Sequence, residues 1–194
     1  MRRAHATPPE GGFTLTELMV TIAIVGILST GAVVTLRRPQ DPGHGAIRVA
    51  NALRQCSRLA SARGPVRSDV ALALGSAARA RLVVRPEIGS AAQDVVVDVL
   101  EEEDEPSTAA SWQAASRFRL SGAIRVAGYR ASGELTAGLG PQVAMGTSEV
   151  VVECLPNGST SPMTFYLDGD GSASERARVV VLPLRGEPVT MDGW

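Results

Sequence analysis

Glu17 stands at the mouth of an apolar segment. Residues 18–36 follow it without a single charge. As a helix they span about 28 Å, roughly the thickness of a bilayer's hydrocarbon core. A carboxylate at the edge of such a segment is costly unless a cation meets it. A first-turn carboxylate is also favoured by the helix macrodipole alone. Immediately before it runs Gly11-Gly12-Phe13-Thr14-Leu15-Thr16. The other residues able to do chemistry are few. Cys56 and Cys154 are the two cysteines. If a helix carrying Cys56 packs on a sheet carrying Cys154, a disulfide can form in an oxidising compartment. Two buried thiols are the alternative, and cysteines this far apart speak against a metal site.

Asp168-Gly169-Asp170-Gly171-Ser172 begins like a calcium loop and then departs from one. An EF-hand loop needs Gly at its sixth position and Glu at its twelfth. Those positions are Ala173 and Val179. A tight turn between strands accounts for the same residues, so neither calcium at Asp168 and Asp170 nor any other cofactor is expected. The histidines are His5 and His44. His44 lies in a breaker-rich stretch, and a Ser-His-Asp or Cys-His site would need it to reach a distant domain. No catalytic residues emerge, and no enzyme is expected.

The composition narrows the partners. The chain has 194 residues and a formal net charge of −1, which gives no electrostatic case for nucleic acid. Every basic side chain outside the histidines is Arg. Aromatics make up 4%, so small and β-branched residues must carry the core.

The elements that position these residues divide into a helical first part and a β-rich second part. The apolar helix ends near Arg38, because Pro39 disfavours helix before it. Residues 39–45 hold two prolines and two glycines and read as a hinge. A helix over 46–63 follows, with Val49, Leu53, Cys56 and Ala60 on one face. After Gly64-Pro65 short Val-, Ile- or Leu-rich runs, bounded by turn residues, predict strands. They cover 66–74, 80–85, 94–100, 112–120, 123–129, 148–155, 163–167, 177–184 and 188–191. The acidic run 101–105 predicts a solvated loop. The Gly-rich 133–146 predicts a long loop or irregular hairpin. The implied fold class is α+β: a long N-terminal helix, transmembrane and then amphipathic. It packs on an antiparallel sheet or two-sheet sandwich.

Gly12-Phe13-Thr14-Leu15-Thr16-Glu17-Leu18-Met19-Val20 resembles the processing site of type IV prepilins and type II secretion pseudopilins. The resemblance covers about thirty residues. It implies that a prepilin peptidase cuts after Gly12, methylates the new amine of Phe13, and leaves Glu17 as the fifth mature residue. The cationic amine of one subunit could then meet Glu17 of its neighbour in a bundle of helices, fixing their axial register. Residues 1–12 would be the leader, 13–38 the transmembrane and assembly helix, 39–65 the hinge and amphipathic helix, and 66–194 a periplasmic head. Arg2 and Arg3 favour a cytoplasmic leader, whereas Arg37 and Arg38 weaken that signal.

A second stretch is similar to the GspH/FimT family of minor pseudopilins and minor pilins. It runs Cys154-Leu155-Pro156-Asn157-Gly158-Ser159-Thr160, then strand 163–167, then Ala177-Arg178-Val179-Val180-Val181, and Gly186 before a last strand. The implied function is a structural subunit of a type IV pilus or type II secretion pseudopilus. It would start in the inner membrane and end at or near a filament tip. Its implied partners are major and minor pilins or pseudopilins, the prepilin peptidase and the inner-membrane assembly platform. Two other readings are a periplasmic ligand-binding or enzymatic domain on a permanent helix anchor, and a secreted β domain cut after residue 30.

Overall fold

The structure is a computed structural model. It describes residues 15–36, 41–90, 92–102, 109–120, 124–133, 135, 140–169, 176–182 and 187–194, with the side chains of 27–36 excepted. The chain separates into two compact units, Met1–Pro39 and Gln40–Trp194.

The first unit is helix α1, Leu15–Leu36. Its 22 residues make a rod about 33 Å long. Leu15, Leu18, Met19, Val20, Ile22 and Ile24 are all exposed. They point around the rod rather than along one stripe, as in helices whose partners surround them. Among the described residues, whose side chains end at Gly26 in this helix, none is long and apolar enough to cross a membrane. Phe13, Arg37 and Arg38, the ends of the expected segment, lie outside the described residues.

The second unit opens with α2, Pro42–Arg63. The expected hinge over 39–45 is therefore wrong in its second half, because its breakers serve the helix. Asp41 is the N-cap, accepting from the Gly43 amide at 3.0 Å, and Pro42 takes the first helical position, where its missing N–H costs nothing. Gly45 permits close packing. A Cβ there would lie 2.6 Å from Ile124 Cγ2 and 3.3 Å from Leu167 Cδ2. Residues 39 and 40 lie outside the described residues.

The expected strand over 66–74 is a helix instead, α3, Ser68–Leu74. Five consecutive apolar residues do not distinguish helix from strand. Gly75, at φ +67°, stops the helix, a conformation glycine adopts without strain.

The strands are β1 Ala80–Pro86, β2 Gln93–Glu102, β3 Ala110–Leu120, β4 Arg125–Arg130, β5 Val143–Ala144, β6 Val150–Cys154, β7 Met163–Asp168, β8 Arg176–Val181 and β9 Pro188–Asp192. They form two antiparallel sheets, ordered β3-β2-β1-β6 and β5-β4-β7-β8-β9. β5 sits inside the stretch read as a Gly-rich loop. α2 lies against strands of both sheets. Its Val49, Ala50, Leu53 and Ala60 meet Leu82, Val84, Val97 and Val152 of one sheet and Phe165, Leu167 and Val179 of the other in a single core.

Two internal links fix this arrangement. Cys56 on α2 and Cys154 on β6 form a disulfide, with Cα atoms 6.1 Å apart and both residues fully buried. Gln93 of β2 joins the sheets. Its Nε2 donates to Val126 O at 2.9 Å, and Val126 N donates to its Oε1 at 2.6 Å. β4 is irregular between Val126 and Gly128, and β5 pairs only with Gly128 and Tyr129. The amide of Gln93 thus fills the place of a neighbouring strand.

On the outer face of the first sheet Val83, Val96 and Leu100 are buried. The ends of α3 reach this face, Arg67 N donating to Glu102 at 3.4 Å and Ser76 Oγ to Glu153 at 2.9 Å, and arginine stems whose heads are pinned by carboxylates lie over it. Asp98, 4% exposed, takes Arg81 at 3.0 Å and Arg85 at 3.8 Å. Arg81 stacks on Trp112, and Asp94 takes Arg117. The acidic run is not all loop. Glu101 and Glu102 close β2 and pair with Arg63 and Arg79.

Three outcomes follow from these contacts. The disulfide closes a loop with a sequence separation of 98 residues. Its reduction, or Cys56→Ser, should lower unfolding stability by about 2–5 kcal/mol in urea titrations. Gln93→Leu leaves the buried amide and carbonyl of Val126 without their partner, and should cost about 2 kcal/mol by the same measurement. The hydrogen bond from Arg117 holds Asp94 below the ordinary carboxylate range, against a smaller opposing effect of burial. That contribution is fully present above the unfolded carboxylate pKa of about 3.9 and is lost as pH falls through the lower folded value. The pair is near the surface, so wild type should exceed Asp94→Asn by only about 0.5 kcal/mol at neutral pH, with the gap closing below about pH 4.

Candidate processing and assembly site

Glu17 lies in the first turn of α1 and is exposed. One turn on, Thr21 Oγ1 donates to the Glu17 carbonyl at 2.7 Å. Glu17 sits among exposed apolar side chains at the start of a rod. A carboxylate so placed is suited to meet a cation brought by another chain. Gly12 and Phe13, the expected cleavage and methylation positions, lie outside the described residues.

The other sequence-derived candidates separate cleanly. Both carboxylate oxygens of Asp168 are engaged by Arg125, at 3.0 and 3.3 Å, so the first position of the supposed calcium loop belongs to a cross-strand ion pair. Asp170 lies outside the described residues. Among the described residues no three His, Cys, Asp or Glu side chains cluster as a metal site would require. His44 sits exposed in the first turn of α2, and His5 lies outside the described residues. Cys56 and Cys154 are consumed in their disulfide.

Two cavities among the described residues bring no further chemistry together. One of about 240 Å³ lies between the sheets, lined by Ser90, Gln93, Arg125 and Met145 among others. Its polar members are already spent, Gln93 on Val126 and Arg125 on Asp168. A second, of about 420 Å³, runs along the outer side of α2 beside Asn51, Arg54, Arg58 and Leu59. Sequence reasoning passed over Gln93 and the Arg81–Asp98 pair. A Gln heading a Val-rich strand, and an Asp inside one, were the available signals, since a polar residue in such a run must find a partner when buried.

Residues 8–33 match the family described as the prokaryotic N-terminal methylation motif. The chain carries a type IV pilin-like signal. Gly12, Phe13 and Glu17 all fall within the matched segment. No curated protein and no solved structure matches the chain. The motif supports a type IV pilin-like protein, with the prepilin peptidase and pilin-type subunits as the partners such a signal implies. The α+β architecture, helix first and antiparallel sheets after, is compatible with a pilin-like fold.

Proposed function

We propose that this chain is a minor pilin or pseudopilin, a structural subunit rather than an enzyme. In this reading it joins or primes a type IV pilus or a type II secretion pseudopilus. The observation that carries the reading is the methylation motif over residues 8–33, with Gly12, Phe13 and Glu17 in register ahead of the apolar helix. Hydrolysis of the Gly12–Phe13 peptide bond would free a cationic amine on Phe13. Methylation would keep that amine basic and add apolar surface. Glu17, about one turn along the rod, would pair with the amine of a neighbouring subunit. Two charges that are separately costly in a low dielectric would then offset one another. The exposed apolar side chains of α1 would be covered first by lipid and then by neighbouring helices, so leaving the inner membrane need not expose them to water.

The minor-subunit assignment draws on the head. Pro156-Asn157-Gly158 makes the turn after β6, with Gly158 N donating to Leu155 O at 2.9 Å and Ser159 N to Asn157 Oδ1 at 3.0 Å. β7 follows, and β8 and β9 close the sheet as an antiparallel pair. This order supports likeness to the GspH/FimT group, whose members are placed at filament tips. Gly186, the other residue of that likeness, lies outside the described residues.

Mass spectrometry of the protein purified from its native membrane should find a chain beginning at methylated Phe13. Glu17→Ala should keep a folded, disulfide-bonded head and lose most co-purification with partner subunits. A chain still starting at Met1, or a Glu17→Ala variant that assembles as wild type does, overturns the reading.

A further inference from the structure

The groove along the outer side of α2 assembles no reactive groups, but it is rich in hydrogen-bond donors. α2 carries four arginines and no carboxylate. Two of the four are spent within the head. Arg63 pairs with Glu101. Arg48 donates to Arg119 O at 3.3 Å and stacks on Phe118. The other two, Arg54 and Arg58, line the groove with Asn51, Gln55, Leu59 and Ala62, around a volume of about 420 Å³. Neither meets a carboxylate among the described residues. Arg54 touches only neutral oxygens, Asn51 Oδ1 at 2.8 Å and Pro188 O at 3.4 Å. Arg58 is exposed and makes no hydrogen bond or ion pair among the described residues.

The amide acceptors at this groove are engaged, whereas its donors are not. Asn51 Oδ1 accepts from Arg54, and Gln55 Oε1 accepts from Ser116 Oγ at 2.9 Å. Both side-chain amide nitrogens and the remaining guanidinium N–H groups are left to donate. The rims are held in place. Arg54 is tied to β9 through Pro188, and Gln55 to β3 through Ser116. A ligand therefore finds these groups already ordered. Leu59, partly buried and packed on the core, supplies an apolar floor.

We infer that this groove binds an extended acidic peptide segment of a partner protein. Two of its carboxylates pair with Arg54 and Arg58, and an apolar side chain rests on Leu59 and Ala62. Charge and spacing select that occupant. A guanidinium matches a carboxylate in shape and sheds water more readily than an ammonium does. Arg54 and Arg58 stand about one helical turn apart, roughly 5.4 Å along the axis. Alternate side chains of an extended peptide share one face at a spacing of about 6.6 Å. Carboxylates at its first and third positions thus meet the two arginines. Its fifth position falls a further turn along, at Ala62. A nucleic acid suits the groove less well. Two guanidiniums neutralise few phosphates, and no aromatic ring is among the lining residues to stack on bases. The site lies wholly on the head and does not depend on the reading of Glu17.

The test uses the full chain in detergent micelles and a dye-labelled peptide, Glu-Ser-Glu-Ser-Leu, followed by fluorescence anisotropy at low salt. Saturable binding is expected, and Gln-Ser-Gln-Ser-Leu should not compete. Arg58→Gln breaks no contact within the described head and should weaken binding about fivefold. Raising the salt to about 300 mM should weaken wild-type binding as well. Arg85→Gln removes an exposed guanidinium elsewhere, one that faces Asp98 and Glu149, and should leave the affinity unchanged. No saturable binding, equal competition by the Gln peptide, or an unchanged affinity in Arg58→Gln would each overturn the inference. So would an equal loss in Arg85→Gln. An oligothymidylate that binds more tightly than the peptide, and loses affinity in Arg58→Gln, would make nucleic acid the occupant instead. Peptide affinity that falls as the protein is concentrated would assign the groove to a second copy, and the inference would fail.

Discussion

One helix has to satisfy two sheets. α2 lies against strands of both, and the remaining features of the head follow from that demand. A helix serving two inner faces needs a broad apolar surface and a thin one, because each large side chain would push the sheets apart. Hence Ala46, Ala50, Ala52 and Ala60 alternate with Val49 and Leu53, all buried. Gly45 admits Ile124 and Leu167 where a methyl group would collide. Aromatic bulk is scarce in such a core; Phe165 is its largest fully buried side chain. The disulfide to β6 ties this helix to the sheet. Arg54 donates to Pro188 O at 3.4 Å and Gln55 accepts from Ser116 at 2.9 Å, so the flanks of α2 reach β9 on one side and β3 on the other.

Much of the head was legible because its strands obey a simple rule. Runs of Val and Leu bounded by Gly, Pro, Ser or Asp marked eight of the nine strands among the described residues, with ends displaced by at most three residues. β5 escaped because Val143–Ala144 owes its two-residue pairing to tertiary position beside β4 rather than to any local pattern. α3 was misread as strand for a related reason. Val70-Ala71-Leu72-Ala73-Leu74 is apolar throughout, and no periodicity distinguishes its sides. What decides it is the left-handed turn at Gly75, which closes a helix and would not continue a strand. The onset of α2 was misplaced because Pro42, Gly43 and Gly45 were weighed as breakers singly. Taken with Asp41 they form a capped helix start, in which proline and aspartate are assets.

The charged residues were the least legible, because a sequence does not say which carboxylate a guanidinium will find. Read alone, 101–105 is a repelling run. In the fold Glu101 pairs with Arg63 and Glu102 with Arg79, arginines 38 and 23 residues earlier in the chain. Asp168 has the same history: its neighbours in sequence suggest a cation loop, and its neighbour across the sheet is Arg125. Asp98 shows the energetic side of this. A carboxylate 4% exposed is tolerated only with a partner held in place. Arg81, clamped between Asp98 and the ring of Trp112, is such a partner, and its stem helps roof the apolar residues beneath.

The candidate site at the N-terminus follows the opposite logic. Glu17 was singled out by local sequence, and it stands exposed at the start of α1 among apolar side chains. A carboxylate buried as deeply as Asp98 stabilises its own fold. An exposed one at the start of an apolar rod would, in the proposed reading, act between chains. That division explains why an N-terminal motif of a few residues can be recognised when the head brings no match. Assembly chemistry constrains residue types at fixed spacing along one helix, whereas a sandwich core requires only volume and alternation, which many sequences meet.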